Sequence, residues 1–192
     1  MSRLLANLPR MTRVEWNNLA KNRFVDDEIQ VWIAKNGHIQ ARYYLAENES
    51  LCEDAIDIIL NGRSNMAKAT LVTTGLVADG DVIRNIYDSC KSRLAHWRVN
   101  SFFVRAWRGG WVNGTPSDVL EDIYDRYKER LANSGGGLYS YYSTALPINL
   151  ATHPNCSLKL AIQLSQHDNS NVSAAGRDAL VAISRRQDDS KS

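Results

Sequence analysis

The sequence predicts an all-α protein, built as an array of stacked helical units of the α-solenoid kind. The first observation is a regular spacing of 26 residues: Leu-Ala-Lys-Asn at residues 19–22 returns as Leu-Ala-Glu-Asn at residues 45–48. Leu71 continues the same interval, and a last copy begins at Leu150. Repeats of about this length indicate helical units that bury their apolar faces only against one another.

Composition is the second observation. The 192 residues include only four prolines and three phenylalanines, while Leu and Ala are abundant, which favours helix over sheet. The hydrophobic share of 44% and the charged share of 23% are ordinary for a globular chain. We expect one helical repeat domain over residues 1–184, with an irregular insert at about 90–147, and a disordered polar tail at 185–192.

Signals for helix starts and ends are the third observation. Residues 12–15 (Thr-Arg-Val-Glu) fit a capping box, and the helix that they open has Val14 and Leu19 on its apolar face. Acids at 26–28 place negative charge at the start of the next helix. That helix ends at 36–37 (Asn-Gly), where we expect the left-handed backbone that often ends a helix.

The second copy repeats these signals. Glu53 and Asp54 open a helix that Asn-Gly at 61–62 closes, and short helices lead into Leu45 and Leu71. The small Ala after a repeat Leu allows neighbouring helices to approach closely.

Later helices have their own start signals. Residues 79–81 (Asp-Gly-Asp) begin one, and 115–118 (Thr-Pro-Ser-Asp) begin another, with the Thr hydroxyl as the predicted cap. The last copy predicts a helix through 158–164, a turn at 167–169 and a closing helix from 172 to 183.

The order of signals in the repeat resembles the leucine-rich-repeat-variant family of HEAT-like helical arrays. The pattern begins with Leu-Ala-x-Asn, continues with a helix and a polar turn, and ends with a small residue before Arg. The match covers residues 15–75 and 148–183, and 90–147 match poorly. The resemblance implies a right-handed superhelix of alternating helices. Iron–sulfur members of the family carry a cysteine cluster ahead of the repeats, which is missing here. The residues that carry the match are Leu19, Ala20, Asn22, Arg42, Leu45, Ala46, Asn48, Lys68, Leu71, Leu150, Ala151, Pro154 and Asp168.

The strongest local anomaly lies at residues 89–117, where the repeat fails. This stretch contains no Asp or Glu before Ser117, and it gathers three tryptophans and two phenylalanines. Bases interleaved with aromatic rings are typical of nucleic-acid binding, because cations neutralise phosphates and rings stack on bases. Its five bases are Lys91, Arg93, Arg98, Arg105 and Arg108, and its large aromatic residues are Trp97, Phe102, Phe103, Trp107 and Trp111.

Three interpretations of this stretch remain open. In the first, the core contains Trp97, Phe102, Phe103 and Trp107, and the arginines form a solvated face or pair with acids at 118–125. In the second, a protein partner contacts Trp107, Arg108 and Trp111. The glycines at 109, 110 and 114 place Trp111 on an exposed loop, and exposed Trp and Arg are enriched at interface hot spots. In the third, the bases bind nucleic acid, as in HEAT-like DNA glycosylases. Catalysis there requires a carboxylate, for which Asp118 and Glu121 are the candidates.

A second candidate contact loop follows at residues 135–142 (Gly-Gly-Gly-Leu-Tyr-Ser-Tyr-Tyr). Tyr139 and Tyr141 would supply adaptable hydrogen-bonding contacts, and a flexible helix connection is the alternative. No Lys-Ser/Thr follows the glycines, so the loop does not fit a phosphate-binding P-loop.

Metal and nucleophile patterns are weak. The four histidines form no i, i+4 pair, and His153 with Cys156 lacks two further zinc ligands. His153 occupies the repeat's Asn position, which predicts a helix-terminating role. We therefore expect no catalytic residue, no metal and no cofactor.

The favoured function is a non-catalytic binding or adaptor protein with a protein partner, contacted through Trp107, Arg108, Trp111, Tyr139 and Tyr141. The alternative is nucleic-acid binding, or a glycosylase-type enzyme, through Lys91, Arg93, Arg98, Arg105 and Arg108. Three cysteines without close pairs indicate a reducing compartment, so we expect a cytoplasmic protein. No apolar run approaches the ~20 residues that span a bilayer.

Overall fold

A computed structural model describes residues 8–92, 96–105, 110–133 and 142–189. The regular secondary structure of the described residues is helical, with no strand; one isolated antiparallel bridge joins Arg105 to Trp111. The all-α prediction is therefore confirmed. The helices are α1 Arg13–Lys21, α2 Asp27–Asn36, α3 Ile39–Ala46, α4 Glu53–Asn61, α5 Asn65–Thr73, α6 Gly80–Cys90, α7 His96–Val99, α8 Ser117–Asn133, α9 Tyr142–Ala151, α10 Leu158–Ser165 and α11 Ser170–Asp189, with a 3-10 turn at Leu8–Arg10 and a π-helical turn at Asn100–Val104.

The chain forms two compact units, unit 1 (Met1–Val77) and unit 2 (Ala78–Ser192). The sequence predicts one domain and marks no boundary at residue 77. The predicted disordered tail also differs, because α11 continues through 185–189. The Arg186 guanidinium donates to the backbone oxygen of Pro154, which ties this last part of α11 to the turn before α10.

In unit 1 each helix packs against the helix two places along the chain. α1 contacts α3 and α3 contacts α5, while α2 contacts α4. The repeat residues form the core of this packing: Leu45 and Leu71 are fully buried, as are Ala20 and Ala46. The small residue after the repeat Leu therefore lies where neighbouring helices meet, as the sequence predicts.

The spacing of the repeat leucines is also visible in the helix starts of unit 1. Three side chains at this same interval each accept a hydrogen bond from the backbone N–H three residues on, at 3.4 Å. This bond satisfies a donor that the first helical turn leaves free. The pairs are Thr12 with Glu15, His38 with Ala41, and Ser64 with Ala67. At Thr12 the full predicted capping box is present.

A second set of bonds links one copy to the next. The side-chain oxygens of Asn22 and Asn48 each accept from the backbone N–H two residues on, at 3.0 Å. The Asn48 amide donates to the backbone oxygen of Asn22 at 3.4 Å. One repeat later, the Thr74 hydroxyl donates to the backbone oxygen of Ala46 at 3.4 Å.

Two local predictions for unit 1 are wrong. Gly37 and Gly62 do follow α2 and α4, but their φ angles of −62° and −76° are not left-handed. A Cβ at Gly37 would lie 2.5 Å from the Ile33 oxygen, so glycine is needed for close approach instead. Val14 is 67% exposed. The large side chain that α1 does pack is Trp16, whose ring centroid lies 4.7 Å from that of Trp32.

The end of unit 2 follows the same pattern as unit 1. Ser157 caps α10 by accepting from the Leu160 N–H at 3.1 Å, and Asn169 caps α11 by accepting from the Val172 N–H at 3.3 Å. These two caps are 12 residues apart, and so are Asp26 and His38, which precede α2 and α3.

The beginning of unit 2 is irregular. The π-helical turn Asn100–Val104 buries Phe102 and Phe103, and Phe103 meets the Tyr87 ring edge-on at 5.3 Å. These two phenylalanines are therefore core, as the first interpretation has it. The predicted cap of α8 is wrong, because the Thr115 hydroxyl is buried and has no hydrogen-bond partner.

Candidate functional site

The described part of the candidate site is the pair of segments around Arg105 and Trp111. The π-helical turn ends where the Arg105 N–H donates to the Asn100 oxygen at 2.9 Å. The chain returns at Val112, whose N–H donates to the Val104 oxygen at 3.2 Å. This backbone pairing places Arg105 and Trp111 opposite each other.

Trp111, which the sequence predicts on an exposed loop, is instead half-buried and is held on two sides. The His153 ring meets it edge-on, with centroids 5.8 Å apart and an interplanar angle of 71°. The Arg105 guanidinium lies 5.8 Å from the Trp111 ring centroid, which is within cation–π distance. The indole is thus oriented before any ligand arrives.

His153 orders this site, and that role is missing from the sequence prediction. Its Nδ1 accepts from the Asn155 N–H at 3.0 Å, so the predicted helix-terminating role is confirmed. Because Nδ1 accepts, Nε2 carries the proton and donates to the Val112 oxygen at 3.2 Å. Burial lowers the pKa of His153 from 6.5, against the opposing effect of the Val112 bond. The ring is therefore neutral, and both of its nitrogens are engaged.

Arg105 is exposed and keeps its charge available. One guanidinium N–H donates to the Asn149 side-chain oxygen at 3.4 Å, and the Asn149 amide donates to the Asn100 side chain at 3.3 Å. Within the described ranges, no acidic side chain forms an ion pair with Arg105.

Lys91 differs from Arg105. Its ammonium lies 2.7 Å from an Asp88 oxygen and 3.5 Å from an Asp122 oxygen. The Asp88 hydrogen bond is the main cause that raises the pKa of Lys91. Two carboxylates therefore already balance the charge of Lys91. The first interpretation predicts such pairing between bases and the acids of α8. Arg98, the third described base, is half-buried.

The remaining predicted residues lie outside what the structure describes. They are Arg93, Trp107, Arg108, Tyr139 and Tyr141, together with the side chain of Trp97.

The two carboxylates considered for glycosylase-type chemistry are both engaged. Asp118 bonds the Arg84 guanidinium at 2.7 and 3.0 Å, and this bond lowers its pKa. Glu121 bonds Lys159 and the Ser157 hydroxyl, each at 2.6 Å, and these bonds lower its pKa. Lowered pKa values keep both groups ionised at neutral pH, and each is already paired with a cation.

Metal ligands do not cluster among the described residues, since no group of three or more His, Cys, Asp or Glu side chains comes together there. All three cysteines are free. Burial raises the pKa of Cys90 to about 12 and that of Cys156 to about 11, so these two remain protonated thiols at neutral pH.

The fold and the site define an all-helical protein with an exposed arginine beside an oriented tryptophan. In the part of the chain that is described, no helix combines the length and the apolar character needed to cross a bilayer. Comparison with protein-family models, with curated proteins and with solved structures finds no match to this chain.

Proposed function

We propose that this chain is a HEAT-like helical-repeat adaptor of the α-solenoid kind that binds a protein partner without catalysis. The recurrence of the same capping and turn bonds at the interval of the repeat leucines in unit 1 supports the repeat architecture. The partner contacts unit 2 through the surface formed by Arg105 and Trp111, with the neighbouring Trp107 and Arg108 as further contacts. The free thiols support a reducing, cytoplasmic location.

The oriented Trp111 beside an exposed Arg105 carries this proposal. Side chains that are held in place before binding lose less conformational entropy when a partner docks. Tryptophan and arginine are also the residue types that contribute most to interface hot spots. A partner surface with a carboxylate beside an apolar side chain complements the pair.

Nucleic-acid binding is the second candidate, and the same arginine motivates it. Phosphate binding depends on several unpaired cations, because each neutralised phosphate adds to affinity. Lys91 is paired with Asp88 and Asp122, and these two carboxylates outweigh its single positive charge. These acids repel a phosphate backbone, so we favour a protein partner.

A photo-crosslinking amino acid at Gly110 tests the proposal in cells. Gly110 is exposed, with open space around its Cβ position, and lies next to Trp111. We expect one defined crosslinked species, reduced about thirtyfold by Trp111→Ala or Arg105→Glu, which is the size of a hot-spot loss. The same probe at the exposed Asn61 is the positional control.

Lys21→Glu, at an exposed position of unit 1, is the matched charge reversal, and it leaves the Gly110 crosslink unchanged. If both charge reversals weaken the crosslink equally, the Arg105 and Trp111 surface is not the contact. A gel shift with duplex and single-stranded DNA at low salt decides the alternative. Retention that is lost on Arg105→Glu and falls steeply with salt would replace a protein partner by nucleic acid.

A further inference from the structure

Unit 1 contains a pocket of about 230 Å³ where α2, α3 and α4 meet. Its apolar lining comes from Ala34 of α2 and from Ile58, Ile59 and Gly62 at the end of α4. Taking about 30 Å³ for each water-sized group, it holds about seven such groups, the size of a small organic molecule.

The polar lining of the pocket is basic. Lys35, Arg42 and Ser64 line it. The Arg42 guanidinium donates through Nη2 to the Lys35 backbone oxygen at 2.8 Å. Its Nε–H is buried and has no acceptor. This nitrogen has no surface that a water-sized group can reach, so contact with a bound ligand is left to the rest of the guanidinium.

Charge balance indicates what kind of acceptor fits. No acidic side chain among the described residues forms an ion pair with Lys35 or Arg42. The ends of α2 and α4 each contribute roughly −0.5 charge to this region, against two positive side chains. The sum is about one positive charge, so a singly charged anion balances the pocket.

We propose that this pocket binds an aliphatic monocarboxylate. The carboxylate pairs with the Arg42 guanidinium and with the Lys35 ammonium, while a short hydrocarbon chain contacts Ile58 and Ile59. A free short-chain acid and the C-terminal residue of a peptide share this chemistry. The site lies in unit 1 and does not depend on the function proposed for Arg105 and Trp111.

An NMR titration of the whole chain with sodium pentanoate tests the proposal. The Arg42 Nε–H and the amides of Ala34, Ile58 and Ile59 report directly on the pocket. We expect saturable shifts with a Kd in about the millimolar range, which is usual for a ligand of this size. Acetate lacks the chain and pentanol lacks the charge, so both bind at least about tenfold more weakly.

Arg42→Lys keeps the charge and removes the planar guanidinium, and we expect it to weaken pentanoate binding about tenfold. Lys68 is the matched control, because it occupies the position of Arg42 in the next repeat. Lys68→Gln leaves the Kd within about twofold. Ile58→Phe fills the pocket without touching the Arg42 bond to α2, and it abolishes the shifts even if Arg42→Lys is poorly folded.

Two peptides ending in leucine, one with a free carboxylate and one amidated, distinguish the sources. Tighter binding of the acid than of pentanoate, with loss on amidation, assigns the site to a peptide terminus. Equal or weaker binding assigns it to a free acid. The proposal is overturned if pentanoate causes no saturable shift at Arg42 up to about 20 mM. Equal binding of pentanol and pentanoate, which would leave the cations without a role, also overturns it.

Discussion

Unit 1 and the first half of unit 2 are both helical, but they are held together by different interactions. In unit 1, short polar side chains at a fixed spacing bond backbone groups at the starts and ends of helices. In the first half of unit 2, bonds between two side chains connect α6 to α8 instead. Arg84 bonds Asp118 there, and Tyr87 donates to Asp122 at 2.8 Å.

The difference shows what a repeat requires. A side-chain bond to the backbone is independent of the neighbouring side chains, so it recurs unchanged in each copy. A pair such as Arg84 and Asp118 requires two matching side chains far apart in the sequence, and it specifies a single arrangement. The irregular region is therefore free to present particular residues, and Arg105 and Trp111 lie there.

The largest expected effect concerns the place where the end of unit 2 departs from unit 1. Gly176 lies seven residues after Asn169, the cap of α11. In unit 1 the residues seven places after the caps His38 and Ser64 are Leu45 and Leu71. A Cβ at Gly176 would lie 2.3 Å from the backbone nitrogen of Ser165, so α10 and α11 would have to separate. Gly176→Ala should lower the free energy of unfolding by about 3 kcal/mol in urea denaturation.

Gly110→Ala is the control for that substitution, since its Cβ meets nothing within 4 Å. A Gly176→Ala protein as stable as the Gly110→Ala protein would show that α11 does not need this close approach.

The next effect concerns the bonds between copies in unit 1. Asn48 is 3% exposed, and Asn48→Ala leaves the Asn22 oxygen and the Ser50 N–H without their partner. We expect a loss of about 2 kcal/mol in the free energy of unfolding. The exposed Asn61, whose amide bonds only within its own helix, is the control at below about 0.5 kcal/mol. Equal losses would mean that the link between copies adds nothing.

Helix starts in the two units should respond with opposite signs. Ser64→Ala removes a cap in unit 1 and should destabilise the protein by about 1 kcal/mol. Thr115→Val in unit 2 removes a buried hydroxyl that has no partner, and should stabilise it by up to about 1 kcal/mol. Thermal unfolding of both variants measures the difference, and a destabilised Thr115→Val protein would indicate that this hydroxyl is bonded in solution.

The smallest expected effect is a dependence on pH at His153. Burial lowers its pKa in the folded chain, so the unfolded chain binds the proton more readily. The stabilising contribution is complete above pH 6.5 and is lost as the pH falls below it. His153→Asn, which restores the repeat's own residue, should flatten the profile of Tm against pH between about pH 5 and 8. An unchanged profile would assign the effect to other groups.

The sequence predicts the parts of the fold that depend on local bonds. The capping box at Thr12 and the helix ends near Asn36 and Asn61 follow from residue types within a few positions of each other. The prediction fails at Thr115, where tertiary packing buries the hydroxyl away from the helix start. It also fails at Val14, because the apolar face of α1 turns Trp16 inward instead.

The candidate site was predictable only in part. A gap in acidic residues and a cluster of tryptophans mark residues 89–117 from composition alone. Among the described residues, Lys91 is neutralised by carboxylates and Arg105 is not, because α8 supplies an acid to Lys91. No local sequence pattern shows which helix packs beside each base. The turn-forming role of His153 follows from one sequence signal, a ring nitrogen at the position of the repeat's Asn. Its contact with Trp111 does not, because the two residues are far apart in the sequence.

The bond from Asn48 to the backbone of Asn22 has a consequence for protein engineering. Because both asparagines make the same turn, excising residues 23–48 joins Asn22 to Glu49 and returns Ser50 to its position two residues after an asparagine. The shortened chain keeps each later cap of unit 1 at its spacing from the turn asparagine, whereas a cut one residue longer or shorter would change the number of residues between that asparagine and the start of α4. Unit 1 can therefore be shortened or lengthened only by whole copies of the repeat.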